Sequence, residues 1–184
     1  MVLQGDSRET LDRLKKEEID IGIIGALFED KNIEFKRLGQ DKIVLAVKGD
    51  HRWAREKMIS RKEMMTEKFI IREFGSGTDK TVHEALAKAG IDPTQMKVRA
   101  NLGSNEAVKQ AVSHGMGAAF LSEISIEKEL ARGDMAVVKI RGLTISRCFY
   151  LITRRNRDLS PSAQSFVKFI MERDEGDKPK RSKN

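Results

Sequence analysis

Apolar positions recur along the chain at two spacings, three-to-four and two, and the change from one to the other predicts the elements. Leu11 and Leu14 share one helix face, with Ser7 as a candidate N-cap. Residues 19–24 form a β-branched run of the length of a buried strand, ended by Gly25. A helix followed by a buried strand suggests a parallel α/β sheet. Residues 33–38 and 42–47 read as two extended segments around Gly39, Gln40 and Asp41. Ser60 and Glu63 fit a capping box, and Phe69, Ile70 and Ile71 make the next strand.

A helical pattern then follows in Val82, Ala85, Leu86 and Ala89, ending at Gly90, with a turn through Pro93. Residues 96–102 read as a strand. Ala107, Val108, Ala111 and Val112 form the buried face of a helix, and residues 118–121 a short buried strand. Ser122 or Ser125 starts a further helix that Gly133 ends. Residues 135–140 and 146–153 are extended, and Ser160 with Pro161 opens the last helix, whose apolar face is Phe166, Val167 and Ile170. From Asp174 onward the chain carries charge and no core residues, which predicts a disordered basic tail over 174–184.

Between Ile71 and Val82 lie Gly75, Ser76, Gly77 and Thr78. This is a strand, a tight turn and a helix start. The first turn of a helix leaves N–H groups without internal partners and carries partial positive charge. Such a turn either holds a small anion or caps its own helix. In the capping alternative Thr78 is the N-cap. Gly103, Ser104, Asn105 and Glu106 repeat the same logic, and there a plain serine cap followed by an acid is an equal alternative. The nucleotide P-loop needs glycine before Lys-Ser/Thr, whereas here Asp79 precedes Lys80 and Thr81.

Composition narrows the classes. The 184 residues are 39% apolar and 34% charged, which suits one domain or two small lobes. The formal net charge of +7 invites a nucleic-acid reading, but the cations are spread along the chain. Their one compact run, 178–183, falls in the expected tail. No apolar run approaches the ~20 residues that span a bilayer, and the first residues do not read as a secretory signal. The single cysteine, Cys148, excludes an internal disulfide and suits the cytoplasm. His51, His83 and His114 lack metal-ligand spacing, and no nucleophile–base set stands out. The chain therefore reads as a non-enzyme without cofactor or metal.

Several of these pieces together resemble one family. They are residues 20–24, 72–78, 102–108, 115–122, 129–133, 147–152 and 159–161. In order and spacing they look like the effector-binding (substrate-binding) domain of LysR-type transcriptional regulators, from about Gly5 to Phe169. The resemblance implies a two-lobed type-2 periplasmic-binding-protein-like α/β fold, with mixed sheets flanked by helices and a small effector held between lobes. One lobe would comprise 1–71 plus 146–173 and the other 72–145. The first strand and helix of such a domain, and the winged helix-turn-helix that usually precedes it, have no counterpart in the sequence. DNA binding is therefore expected only through a DNA-binding domain absent from this chain. A homodimer is also implied, and the lack of a long apolar run predicts no membrane association.

The resemblance places Ser76, Gly77, Thr78, Ser104 and Asn105 at the effector site. Gly25 and Ala26 beyond one strand end and Ser122 at another are further candidates, each with a plain turn as the alternative, which is slightly favoured at Gly25. Hydroxyl-rich turns suit carboxylate, sulfate or phosphate. Arg72 and Arg147 lie near the expected crossings, where each could clamp a carboxylate or form an ordinary ion pair. The alternative function is the solute-binding protein of a transporter with the same fold.

Overall fold

The computed structural model describes residues 2–56, 58–73 and 76–176. Phe74 and Gly75 of the first glycine turn, and residues 177–184 of the expected tail, lie outside the described residues.

The chain opens with helix α1 (Ser7–Lys15). Its N-cap is Asp6, not Ser7: one carboxylate oxygen of Asp6 accepts from the N–H groups of Arg8 and Glu9, both at 2.8 Å. Ser7 is the first helical residue, and its buried hydroxyl instead accepts from the Gly25 N–H at 3.2 Å. A carboxylate that reaches two orphan amides outcompetes a hydroxyl as a cap.

Strand β1 (Ile21–Ile24) follows, then β2 (Ile33–Lys48). The break expected at Gly39, Gln40 and Asp41 is absent, and one sixteen-residue strand runs through it. Asp41 is 1% exposed in mid-strand. A carboxylate tolerates that burial only when paired, and its partners arrive from far along the chain.

Next come the short α2 (Arg61–Met64), β3 (Lys68–Arg72), α3 (Gly77–Lys88), β4 (Lys97–Leu102) and α4 (Asn105–Ser113). Ser60 and Glu63 make the expected capping box on α2. The remaining elements are β5 (Ala119–Ser122), α5 (Glu127–Arg132), β6 (Met135–Val138), β7 (Ile145–Arg154) and α6 (Pro161–Gly176).

The sheets are mixed, and the parallel sheet expected from the first helix and strand is a correction. β1 pairs antiparallel with β7, and β2 pairs antiparallel with β5 and β6. β3 and β4 pair in parallel, as a separate two-stranded sheet. The helix-then-strand order of α1 and β1 says nothing about β7, the distant partner that sets the pairing.

By contacts the chain divides into two compact units, Met1–Gln40 with Cys148–Asn184 and Asp41–Arg147. β2 and β7 each pass from one unit into the other. Residues 41–71, expected with the first lobe, group with the second unit, because the later half of β2 pairs with β5 and β6.

Each unit has its own core. In the first, Leu11 and Leu14 of α1 pack on Ile24, Ile33 and Ile152. In the second, successive β2 residues serve two cores, as the strand period of two requires. Ile43, Leu45 and Val47 face Val82 and Leu86 of α3, with Phe69 stacked on Phe120 at 6.0 Å between centroids. Ala46 faces Val108, Ala111 and Val112 of α4. Gly49 allows a close approach of backbones: a Cβ there would stand 1.8 Å from the Gly133 carbonyl oxygen.

Candidate functional site

β3 and β4 lie side by side in parallel register, Arg72 opposite Leu102, so both strands end at the same edge. Beyond that edge each leads into a helix, β3 into α3 and β4 into α4. The Glu73 N–H donates to the Leu102 carbonyl at 3.3 Å, which carries the pairing into the first turn. Arg72 then reaches the second turn: Nη1 donates to Asn105 Oδ1 at 2.6 Å, while Nε donates to Glu73 Oε2 at 2.8 Å. Two helix starts of the same unit are thus brought together at one strand end, where ligands of open α/β sheets collect.

The two starts are finished differently. Ser104 caps α4: its Oγ accepts from the Ala107 N–H at 3.1 Å. Glu106 pairs with Lys109 at 2.8 Å. Lys109 also donates to the buried Glu129 of α5 at 3.0 Å. Ser76 is the N-cap of α3, yet its side chain makes no capping bond, although the residue is 3% exposed. Thr78 is the second helical residue, not the N-cap, and is 7% exposed. The helices α1, α4 and α6 are capped by Asp6, Ser104 and Ser160, so α3 alone among described helices of this length keeps its first-turn amides free of a side-chain cap.

Thr78 is also the end of a buried polar chain. Arg147 Nη1 donates to Thr78 Oγ1 at 2.9 Å, and Arg147 Nε and Nη2 both approach Asp41 Oδ2 at 3.0 Å. Ser122 Oγ donates to Asp41 Oδ1 at 3.0 Å. The Asp41 side chain is 0% exposed, so both its oxygens are satisfied by these bonds.

Asp79, next to Thr78, is held above its ordinary carboxylate range. Burial is the main cause; the nearby His83 pulls the other way, and the Glu73 charge adds to the rise. His83 Nε2 lies 3.6 Å from the Asp79 carboxylate. Glu73 is lowered, chiefly by its hydrogen bond from Arg72. A cavity of about 20 Å³ lies behind the α3 turn, lined by Arg72, Thr78, Asp79, Val82 and Phe120 among others. It has room for one water, so the turn's value to a ligand lies in its donors.

The structure therefore joins Thr78, Ser122 and Arg147 in one network, with Ser76 and Gly77 buried beside them. It joins Asn105 to Arg72, and it assigns Ser104 to capping. Gly25 and Ala26 follow β1 in the other unit; both are buried, and the Gly25 N–H is taken by Ser7. The residue that sequence reasoning missed is Asp41. Its partner Arg147 is 106 positions away, and no local pattern signals such a pair.

Comparisons with known proteins agree with this architecture. A family model described as the LysR substrate binding domain matches residues 1–175. The chain is 31% identical over 166 residues to the RuBisCO operon transcriptional regulator of Acidithiobacillus ferrooxidans, covering 90% of this chain and 53% of that protein. It is 30% identical over 171 residues to the HTH-type transcriptional activator CmpR of Synechocystis, covering 93% and 55%. The chain thus spans about half the length of these relatives. Among solved structures, the Synechocystis CcmR regulatory domain in complex with 2-PG matches with a TM-score of 0.83 and 28% identity, covering 94% of this chain and 81% of that one. The effector binding domain of QuiR in complex with shikimate matches in fold, with a TM-score of 0.84 and 23% identity, covering 95% and 81%. The fold is that of these domains, a type-2 periplasmic-binding-protein-like fold.

Proposed function

The chain belongs to the LysR substrate-binding domain family, and from that premise we propose that it senses a small oxyanion at the head of α3. It is a regulatory, effector-binding domain of the LysR type; a transporter's solute-binding protein is not favoured, because the relatives are transcriptional regulators. In the proposed site Ser76, Gly77 and Thr78 supply hydroxyl and backbone donors, with Asn105 at the neighbouring turn. The single observation that carries this is the start of α3 without a side-chain cap beside an α4 capped by Ser104. A carboxylate or phosphate ligand would take the place of the missing cap. The 2-PG bound by the CcmR regulatory domain supports that class of ligand.

The wider reading rests on the relatives. In a longer protein this domain would work without catalysis, in the cytoplasm, as part of a homodimer that meets DNA through a separate helix-turn-helix domain. The effector shifts the regulator only if it binds two arrangements with different affinity. Titration calorimetry with 2-PG tests the site. Thr78→Ala is expected to weaken binding about tenfold while the protein stays folded. Unchanged affinity in that variant removes Thr78 from the site.

A further inference from the structure

We infer that Asp41 is a positioning residue for effector recognition, acting through Arg147 to hold the Thr78 hydroxyl as a hydrogen-bond donor, so that the site selects ligands presenting an acceptor oxygen. The inference rests on the effector site proposed at the head of α3.

Hydroxyl chemistry gives the direction. A threonine hydroxyl has one hydrogen to donate and can accept through its lone pairs. The guanidinium of Arg147 has donors only, so its bond to Thr78 at 2.9 Å occupies an accepting side of Oγ1. The hydrogen of Thr78 must point elsewhere. Among the described residues no acceptor takes it. A ligand oxygen at this turn can therefore take the Thr78 hydrogen alongside the uncapped amides of α3, and a donor group in its place would face repulsion.

Asp41 makes that orientation durable. Arg147 places two nitrogens on one oxygen of Asp41, which leaves Nη1 aimed at Thr78. The second oxygen is fixed by Ser122 of β5. Asp41 and Arg147 are the first and last residues of their unit, on the two strands that leave it. The pair thus ties recognition at Thr78 to the points where β2 and β7 change unit.

The test is calorimetry with 2-PG, inorganic phosphate and sulfate on wild type, Asp41→Asn, Thr78→Val and the double variant, with the unfolding midpoint measured alongside. Asp41→Asn is expected to weaken 2-PG about tenfold, as the loss of one charge-assisted hydrogen bond would. Thr78→Val is expected to do the same, and the double variant to be no weaker than either single one. A merely structural Asp41 would lower the midpoint and leave the affinity of the folded protein unchanged. Should Asp41→Asn not fold, Ser122→Ala removes a single bond to Asp41 and is expected to weaken 2-PG about threefold. Full affinity in Thr78→Val overturns the effector site itself. Weakened Thr78→Val with full-affinity Asp41→Asn, or an additive double variant, or a Ser122→Ala that binds normally when Asp41→Asn does not fold, overturns only the role of Asp41. Failure of wild type to bind any of the three oxyanions overturns the selection for acceptor oxygens.

Discussion

Ser76 and Ser104 occupy the same place in two copies of one local plan. Each stands between a strand of the β3–β4 pair and the helix that follows it, and each is an N-cap in extended backbone. Ser104 is exposed and closes its helix with its own oxygen. Ser76 is buried and leaves its helix open. The difference comes from what stands behind each turn. Behind α3 an arginine and a fully buried aspartate, brought from strands far apart in the chain, hold Thr78 and bring charge to the turn. In α4, Lys109 pairs with Glu106 of its own helix and with the buried Glu129 of α5. The same sequence pattern thus yields a helix start closed by its own serine in one case and one without a side-chain cap in the other.

The largest expected effect bears on what stands behind α3. Arg147→Ala leaves Asp41 buried without its counter-charge and is expected to cost about 3–5 kcal/mol in urea unfolding. A cost within about 0.5 kcal/mol would mean that the pair does not hold this turn.

The caps themselves give the next contrast. Ser104→Ala removes a cap bond and is expected to lower stability by about 1 kcal/mol. Ser76→Ala removes none and should stay within about 0.5 kcal/mol. Equal costs for the two would erase the distinction between the helix starts.

The smallest effect is the pH response of Asp79. Its folded pKa is raised by burial, so the folded state holds this proton more tightly than the unfolded chain. Its stabilising contribution is complete below the ordinary carboxylate pKa and is lost as pH rises through the raised folded value. Asp79→Asn is therefore expected to flatten that decline in the urea midpoint on the acid side of neutrality. The ionised carboxylate also opposes an anion at the same turn, so the variant should bind 2-PG somewhat more tightly near neutral pH. A variant with the wild-type pH profile would show that Asp79 titrates as an ordinary surface acid.

Much of the fold was legible because its signals are local. The capping box of Ser60 and Glu63, the apolar faces of α3 and α4, and the short buried strand before Ser122 follow from spacings within one turn or one pleat. The two strand–turn–helix starts could be read for the same reason. What was illegible is non-local. Gly39 and Asp41 look like a turn in sequence, yet β2 runs straight through them, because Arg147 and Ser122 neutralise and bond the aspartate. The antiparallel pairing of β1 with β7 joins positions at opposite ends of the chain. Ser104 and Ser76 carry equal capping potential as residues, and only the burial of Ser76 distinguishes them.

The most direct test follows the amide signals of Gly77, Thr78, Asp79 and Ala107 by heteronuclear NMR as 2-PG is added. An effector held by the open start of α3 shifts Gly77, Thr78 and Asp79 in a saturable manner and leaves Ala107, already bonded to Ser104, nearly unmoved. Saturable shifts centred on Ala107, or on neither turn, would contradict the account.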